Sequence, residues 1–142
     1  MVWRSRRGRT SPVLSGPLIG EAKEAILGSE GHDKVLVVWT SGDRDVALNM
    51  VFMYAANAKR HGWWGDVNLL VWGPSQELLV QDVTLQSELA GMLADGVYVC
   101  ACKACADRYS VTDRLEDLGI DVFYSGEFLT DWIKSPGYVV TF

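Results

Sequence analysis

KVLVVWTSGDRD, Lys34 to Asp45, is the stretch on which the fold turns. Its opening run, KVLVVWT, is continuously apolar and rich in β-branched residues, as a central strand covered on both faces requires. SGDRD then turns the chain into a helix predicted over residues 46–61. Val46, Met50, Met53, Tyr54 and Ala58 recur there at helical spacing, and Gly62 is its stop.

The same alternation continues to the end of the chain. VNLLVW (67–72) reads as a second strand closed by GPS, and residues 76–96 as mostly helical. LLVQDV interrupts that helical stretch, so the firmer helix is expected over 84–94. GVYVCAC (96–102) is a third strand, ACADRY a short helical turn, and VTDRLEDLG a helix with Val111, Leu115 and Leu118 on one face. IDVFYS is a fourth strand, GEFLTDWIKS a helix ended by Pro136 and Gly137, and YVVTF a fifth strand. Strands alternating with helices over short connections predict an α/β fold, a three-layer α/β/α sandwich around a parallel sheet. Ligands and chemistry gather at the carboxyl ends of such strands.

Length and composition agree with one folded domain. The chain has 142 residues, 49% of them hydrophobic and 22% charged, and no apolar run approaches the roughly 20 residues that span a bilayer. No membrane partner is expected. Arg4, Arg6, Arg7 and Arg9 open the sequence, leaving nine basic against 18 acidic side chains in the remainder. The SRRGR run looks like part of a twin-arginine export signal, but TSPVLSGPLIGEAKE after it lacks the apolar stretch such a signal needs. Residues 1–33 are therefore read as a basic N-terminal extension, mobile over 1–17 and with a short helix at EAKEAIL, Glu21 to Leu27, and residues 34–142 as the domain. A nucleic-acid partner is not expected, because the domain itself is acidic.

All the cysteines lie within six residues, at Cys100, Cys102 and Cys105. An odd, tightly clustered set does not make a disulfide framework. It fits a reducing compartment, the cytoplasm, where thiols bind metal or react. Cys100 and Cys102 share one side of the third strand, and Cys100 reads as packing. Cys102 falls near the N-cap of a helical turn, where unpaired N–H groups favour thiolate. Lys103 and Arg108 push the same way and Asp107 opposes them. Cys105 follows one turn on, with Cβ atoms about 5–6 Å apart, placed to resolve or share sulfur held on Cys102. Simple packing remains open, because cysteine buries like a small hydrophobe. Metal binding remains open too, although CxCxxC offers three soft ligands where zinc or an iron–sulfur cluster takes four. His32 and His61 read as exposed or structural, so no metal and no cofactor is assigned. A thioredoxin-type motif is rejected, since the pair follows the third strand and only Pro74 and Pro136 lie in the domain. No glycine-rich phosphate loop with lysine is present.

Two further groups are singled out. Ser41, Asp43 and Ser75 lie at strand carboxyl ends, as pocket residues or helix caps. Trp63 and Trp64 form either a partner surface or a pair buried under the N-terminal segment, while Trp39, Trp72 and Trp132 fit core positions.

From about Lys34 to Phe142 the chain resembles the DsrE/DsrF-like sulfur-relay family, which includes TusD-type and YchN-type proteins. The resemblance rests on VLVVWTSGDRDVALNMVFMYAANAKRHG, on GVYVCACKACADRYSVTDRLEDLGIDV and on the closing GEFLTDWIKSPGYVVTF. Family members end the third strand on a cysteine, often as CxxC, about nine residues before an apolar position that follows Arg-Gly. Cys102 stands nine residues before Val111, and Cys105 matches the second thiol. The resemblance implies five parallel strands with the last beside the first. It implies a sulfur carrier or sulfurtransferase subunit with a persulfide on Cys102, assisted by Cys105 as the second catalytic residue. Implied partners are sulfur donor and acceptor proteins, within a homo-oligomer (trimer or hexamer) or a hetero-oligomer with paralogues. Some members lack a working cysteine, so a non-catalytic assembly or regulatory subunit is the alternative, with a metal-binding protein third. Tyr109-Ser110 replaces the usual Arg-Gly, which predicts a loop of different shape.

Overall fold

The computed structural model describes residues 33–142. The basic extension and the helix expected at Glu21–Leu27 lie outside the described residues.

Five strands form one parallel sheet in the order β4-β3-β2-β1-β5. They are β1 (Lys34–Trp39), β2 (Asp66–Val71), β3 (Tyr98–Cys102), β4 (Asp121–Phe123) and β5 (Tyr138–Thr141). The last strand pairs with the first, Leu36 opposite Val139. Between strands run α1, a helical path made of Arg44–Val46, a π-helical segment Ala47–Phe52 and Met53–Arg60, then α2 (Ser75–Gln81) and α3 (Val83–Ala94). After β3 come α4 (Lys103–Arg108) and α5 (Thr112–Asp117), and after β4 comes α6 (Ser125–Lys134). The interruption foreseen in LLVQDV falls at Asp82. Its extended backbone separates α2 from α3, and its carboxylate caps α3 by accepting from Leu85 N.

Period-two alternation splits the strands between two cores. Val35, Val37, Trp39, Leu69, Val71 and Val99 face Val51 of α1, Leu85 and Leu89 of α3 and Leu115 of α5. Leu36, Val38, Leu70 and Cys100 face the other way, toward Trp132, Phe128 and Leu129 of α6. Each fully buried aliphatic side chain contributes about 1.5–3 kcal/mol. The sheet with helices on both faces is the α/β/α sandwich that the alternation predicted.

The buried face of α1 differs from the expected one. Ala47, Val51, Ala55 and Ala58 point into the core, whereas Met50 and Met53 are 45% and 51% exposed. Small side chains let the helix lie close on the sheet, so the alanine stripe wins over the bulkier residues on the opposite side. Gly62, at φ 62, takes the left-handed conformation that ends the helix. Trp63 and Trp64 are half-buried against the main core. Trp64 Nε1 donates to Tyr54 Oη over 2.8 Å. Trp63 stacks on His61 with ring centroids 5.5 Å apart. The pair is held within the domain by its own neighbours.

Candidate functional site

β3 ends on Cys102, whose backbone is still extended (φ −75, ψ 118) while α4 begins at the next residue. The cysteine is thus the N-cap of α4, as its position after the apolar strand implied. All three cysteines are free thiols. Cys100, two residues earlier on the same face, is fully buried beside Leu36, Leu70 and Trp132. Burial, with Asp121 nearby, pushes its thiol up to about 12, so it stays protonated and packs as a small hydrophobe.

Cys102 behaves in the opposite way. It is 6% exposed, and burial alone would raise its thiol. The Ser125 hydroxyl and the backbone N–H groups of Cys105, Ser125 and Ala104 outweigh that penalty and bring the thiol below its ordinary value. Donors aimed at sulfur favour the anion. Lys103, one of the charges expected to help, turns along α4 to Asp107, with Nζ 3.0 Å from the carboxylate, and the thiol is lowered by hydrogen-bond donors instead.

Cys105 is half-buried and interacts directly with Cys102. Its thiol is raised by burial and by negative charge on Cys102. Gly73 N–H and the Trp72 side chain pull the other way. The two sulfurs therefore form a graded pair, with the anion favoured on Cys102. Among the described residues, no three His, Cys, Asp or Glu side chains converge to hold a metal ion.

Two supporting residues were not visible as such in the sequence. Gln76, fully buried at the start of α2, donates from Nε2 to the carbonyls of Val71 and Cys102, both at 3.0 Å. Ser125 opens α6 and is fully buried. The apolar run IDVFYS hid it as a strand end, whereas β4 stops at Phe123. Register signals it in retrospect, since Phe123 pairs with Cys102 and Ser125 follows two residues later.

The residues at the other strand ends have structural duties. Asp43 caps α1, accepting from the N–H groups of Asp45 and Val46. Ser41 Oγ accepts from Asp43 N at 3.1 Å. Ser75 does not cap its helix. Its buried Oγ donates to Trp39 O at 2.6 Å and ties α2 to the end of β1. In the loop at Tyr109-Ser110, where the resemblance expects Arg-Gly, Ser110 takes the left-handed conformation at φ 57, which strains a non-glycine residue.

Solved structures share this architecture. A conserved protein of unknown function from Bacteroides thetaiotaomicron, BT1422, is 35% identical, with a TM-score of 0.75 over 78% of this chain and 95% of that one. The ychN protein of Escherichia coli is 18% identical, with a TM-score of 0.55 over 78% of this chain and 99% of that one. The ychN likeness is one of fold. No protein-family model and no curated protein matches the chain.

Proposed function

The chain belongs to one family with the Bacteroides thetaiotaomicron protein BT1422, and we propose that it is a sulfur carrier or sulfurtransferase subunit holding a persulfide on Cys102. The observation that carries the reading is the buried Cys102 thiol, favoured as an anion by converging hydrogen-bond donors with a second thiol beside it. The resemblance to the DsrE/DsrF-like family and the fold shared with ychN support it.

The Cys102 thiolate attacks the outer sulfur of a donor protein's persulfide. A new S–S bond forms on Cys102 as the donor's S–S bond breaks, and the donor sulfur leaves with the electron pair as a thiolate. An acceptor cysteine then attacks that outer sulfur, and Cys102 departs as thiolate. The sulfane sulfur keeps its oxidation level throughout, so no external oxidant or reductant enters. The added sulfur extends the side chain by about 2 Å, and Cys105, the more open thiol, shares it by the same exchange. Among the described residues no helix is long and apolar enough to cross a membrane. The cytoplasm, which keeps thiols reduced, is the compartment that suits this chemistry.

The test is intact mass after incubation with a sulfane-sulfur donor, with and without reductant. A reducible gain of one sulfur atom on wild type, absent in Cys102→Ser, is expected. Equal gain in the variant would remove Cys102 from the role.

Met50 and Met53, exposed one turn apart on α1, favour a second reading, an assembly subunit within a trimer, a hexamer or a complex with paralogues. That reading predicts oligomers unaffected by loss of both thiols and no sulfur uptake.

A further inference from the structure

α6 begins two residues beyond Phe123, the β4 partner of Cys102, so Ser125 follows the carboxyl end of β4 beside that of β3, and its hydroxyl and backbone N–H act on the Cys102 thiol. Ser125 is fully buried, and its Oγ has no completed hydrogen bond among the described residues. Tyr124, at the N-cap of this ten-residue helix, provides no side-chain cap, so the first-turn N–H groups retain donor capacity. Buried hydroxyls are ordinarily satisfied, and this one stands next to an atom whose acceptor strength changes with its protonation. A neutral thiol accepts weakly; hydrogen bonds to an ionised acceptor are roughly twice as strong as neutral ones. An unsatisfied hydroxyl beside a thiol is a completed donor beside a thiolate.

We propose that Ser125 is a catalytic residue whose Oγ–H and backbone N–H form an anion hole for the Cys102 sulfur. The inference rests on the Cys102 carrier reading and assigns Ser125 to both of its steps. When Cys102 gives its proton to solvent, Ser125 keeps its own and donates a hydrogen bond to the sulfur that attacks. On discharge, as the S–S bond to the outer sulfur breaks, the same donors receive the negative charge returning to Cys102. The lowered Cys102 thiol agrees with this arrangement, with donation from both Ser125 groups among its causes.

The experiment follows the rate of Cys102 alkylation against pH in wild type and Ser125→Ala. Trypsin, cutting after Lys103, separates Cys105 from the peptide that carries Cys100 and Cys102, and fragmentation of that peptide between the two cysteines assigns its label to Cys102 or Cys100. Thermal melts are recorded below the thiolate midpoint, and sulfur loading of wild type is measured in parallel. Losing a hydrogen bond to a charged acceptor is expected to raise the Cys102 midpoint by about one pH unit or more. Below the midpoint, alkylation and sulfur transfer then slow about tenfold. The melting temperature stays level or rises, because the variant removes a polar atom that had no completed bond. Ser125→Gly lacks the hydroxyl too and carries the same readout should the alanine variant not fold. An unmoved midpoint in a folded variant overturns the inference, and leaves the carrier reading standing if wild type loads sulfur. A raised midpoint with no loading of wild type keeps the anion hole and removes the carrier reading.

Discussion

The side-chain amide of Gln76 donates to the backbone carbonyl of Cys102 across 3.0 Å. The same Nε2 reaches Val71 O at 3.0 Å, so one buried amide on α2 pins the carboxyl ends of β2 and β3 together. Cys102 leaves the sheet at this point. The amide therefore fixes the backbone that aims the thiol toward α4 and α6, without touching the sulfur.

Gln76→Leu keeps the volume and removes the donor. With a buried carbonyl left short of a partner, stability should fall by about 1–3 kcal/mol, read from urea unfolding. Cys102 alkylation should slow in the folded variant as the thiol loses its alignment. An unchanged unfolding midpoint would show that the two strand ends hold without the amide.

Much of this architecture was legible because parallel strands covered on both faces must be nearly continuous apolar runs. KVLVVW, VNLLV and VYVCAC declare themselves. The N-cap position of Cys102 followed from an apolar strand giving way to ACADR. Legibility failed where packing chooses between two plausible faces, as on α1, where alanines rather than Met50 and Met53 meet the sheet. It failed again at Ser125 and Gln76, whose importance comes from residues distant in sequence. No local pattern marks a serine that β4 register sets against a cysteine on β3.

Ser110 is the described non-glycine residue with positive φ, at 57°. A left-handed backbone burdens an L-residue by about 1–2 kcal/mol, while glycine adds unfolded-state entropy of about 0.4–1 kcal/mol. Ser110→Gly should therefore stabilise the domain by about 0.5–1 kcal/mol, seen as a higher urea midpoint at unchanged slope. A lower midpoint would mean that the serine side chain contributes more than its backbone strain takes away.

Gly137 occupies the turn between α6 and β5, against Trp132. A Cβ there would stand 2.7 Å from the indole Cε3 and 3.1 Å from Lys34 Cε. The lysine can move, but Trp132 is buried beneath Leu36 and Cys100 in the second core. Gly137→Ala should thus destabilise by about 1–3 kcal/mol through overpacking. A neutral result in thermal unfolding would show that the α6–β5 turn yields instead.

Opposite shifts on neighbouring thiols set an order of reaction. Cys102 is lowered by its hydrogen-bond donors against burial, while Cys105 is raised by burial and by the charge on Cys102. At about pH 7, below the usual thiol value of about 8.5, limiting alkylating agent should mark Cys102 first. Removing Cys102 as Ser takes its negative charge away, so Cys105 should then react at lower pH than in wild type. The same shifts act on stability in opposite directions. Ionising Cys102 stabilises the fold above the unfolded thiol value, and that contribution is lost as pH falls through its lowered folded value. Cys105 and Cys100 favour the fold while protonated, and their contribution is lost as pH rises through their raised folded values, about 12 for Cys100. Unfolding free energy should therefore decline from about pH 8.5 upward, less steeply in Cys100→Ala. Labelling of Cys105 ahead of Cys102 in wild type would reverse the order and place the favoured anion on the wrong sulfur.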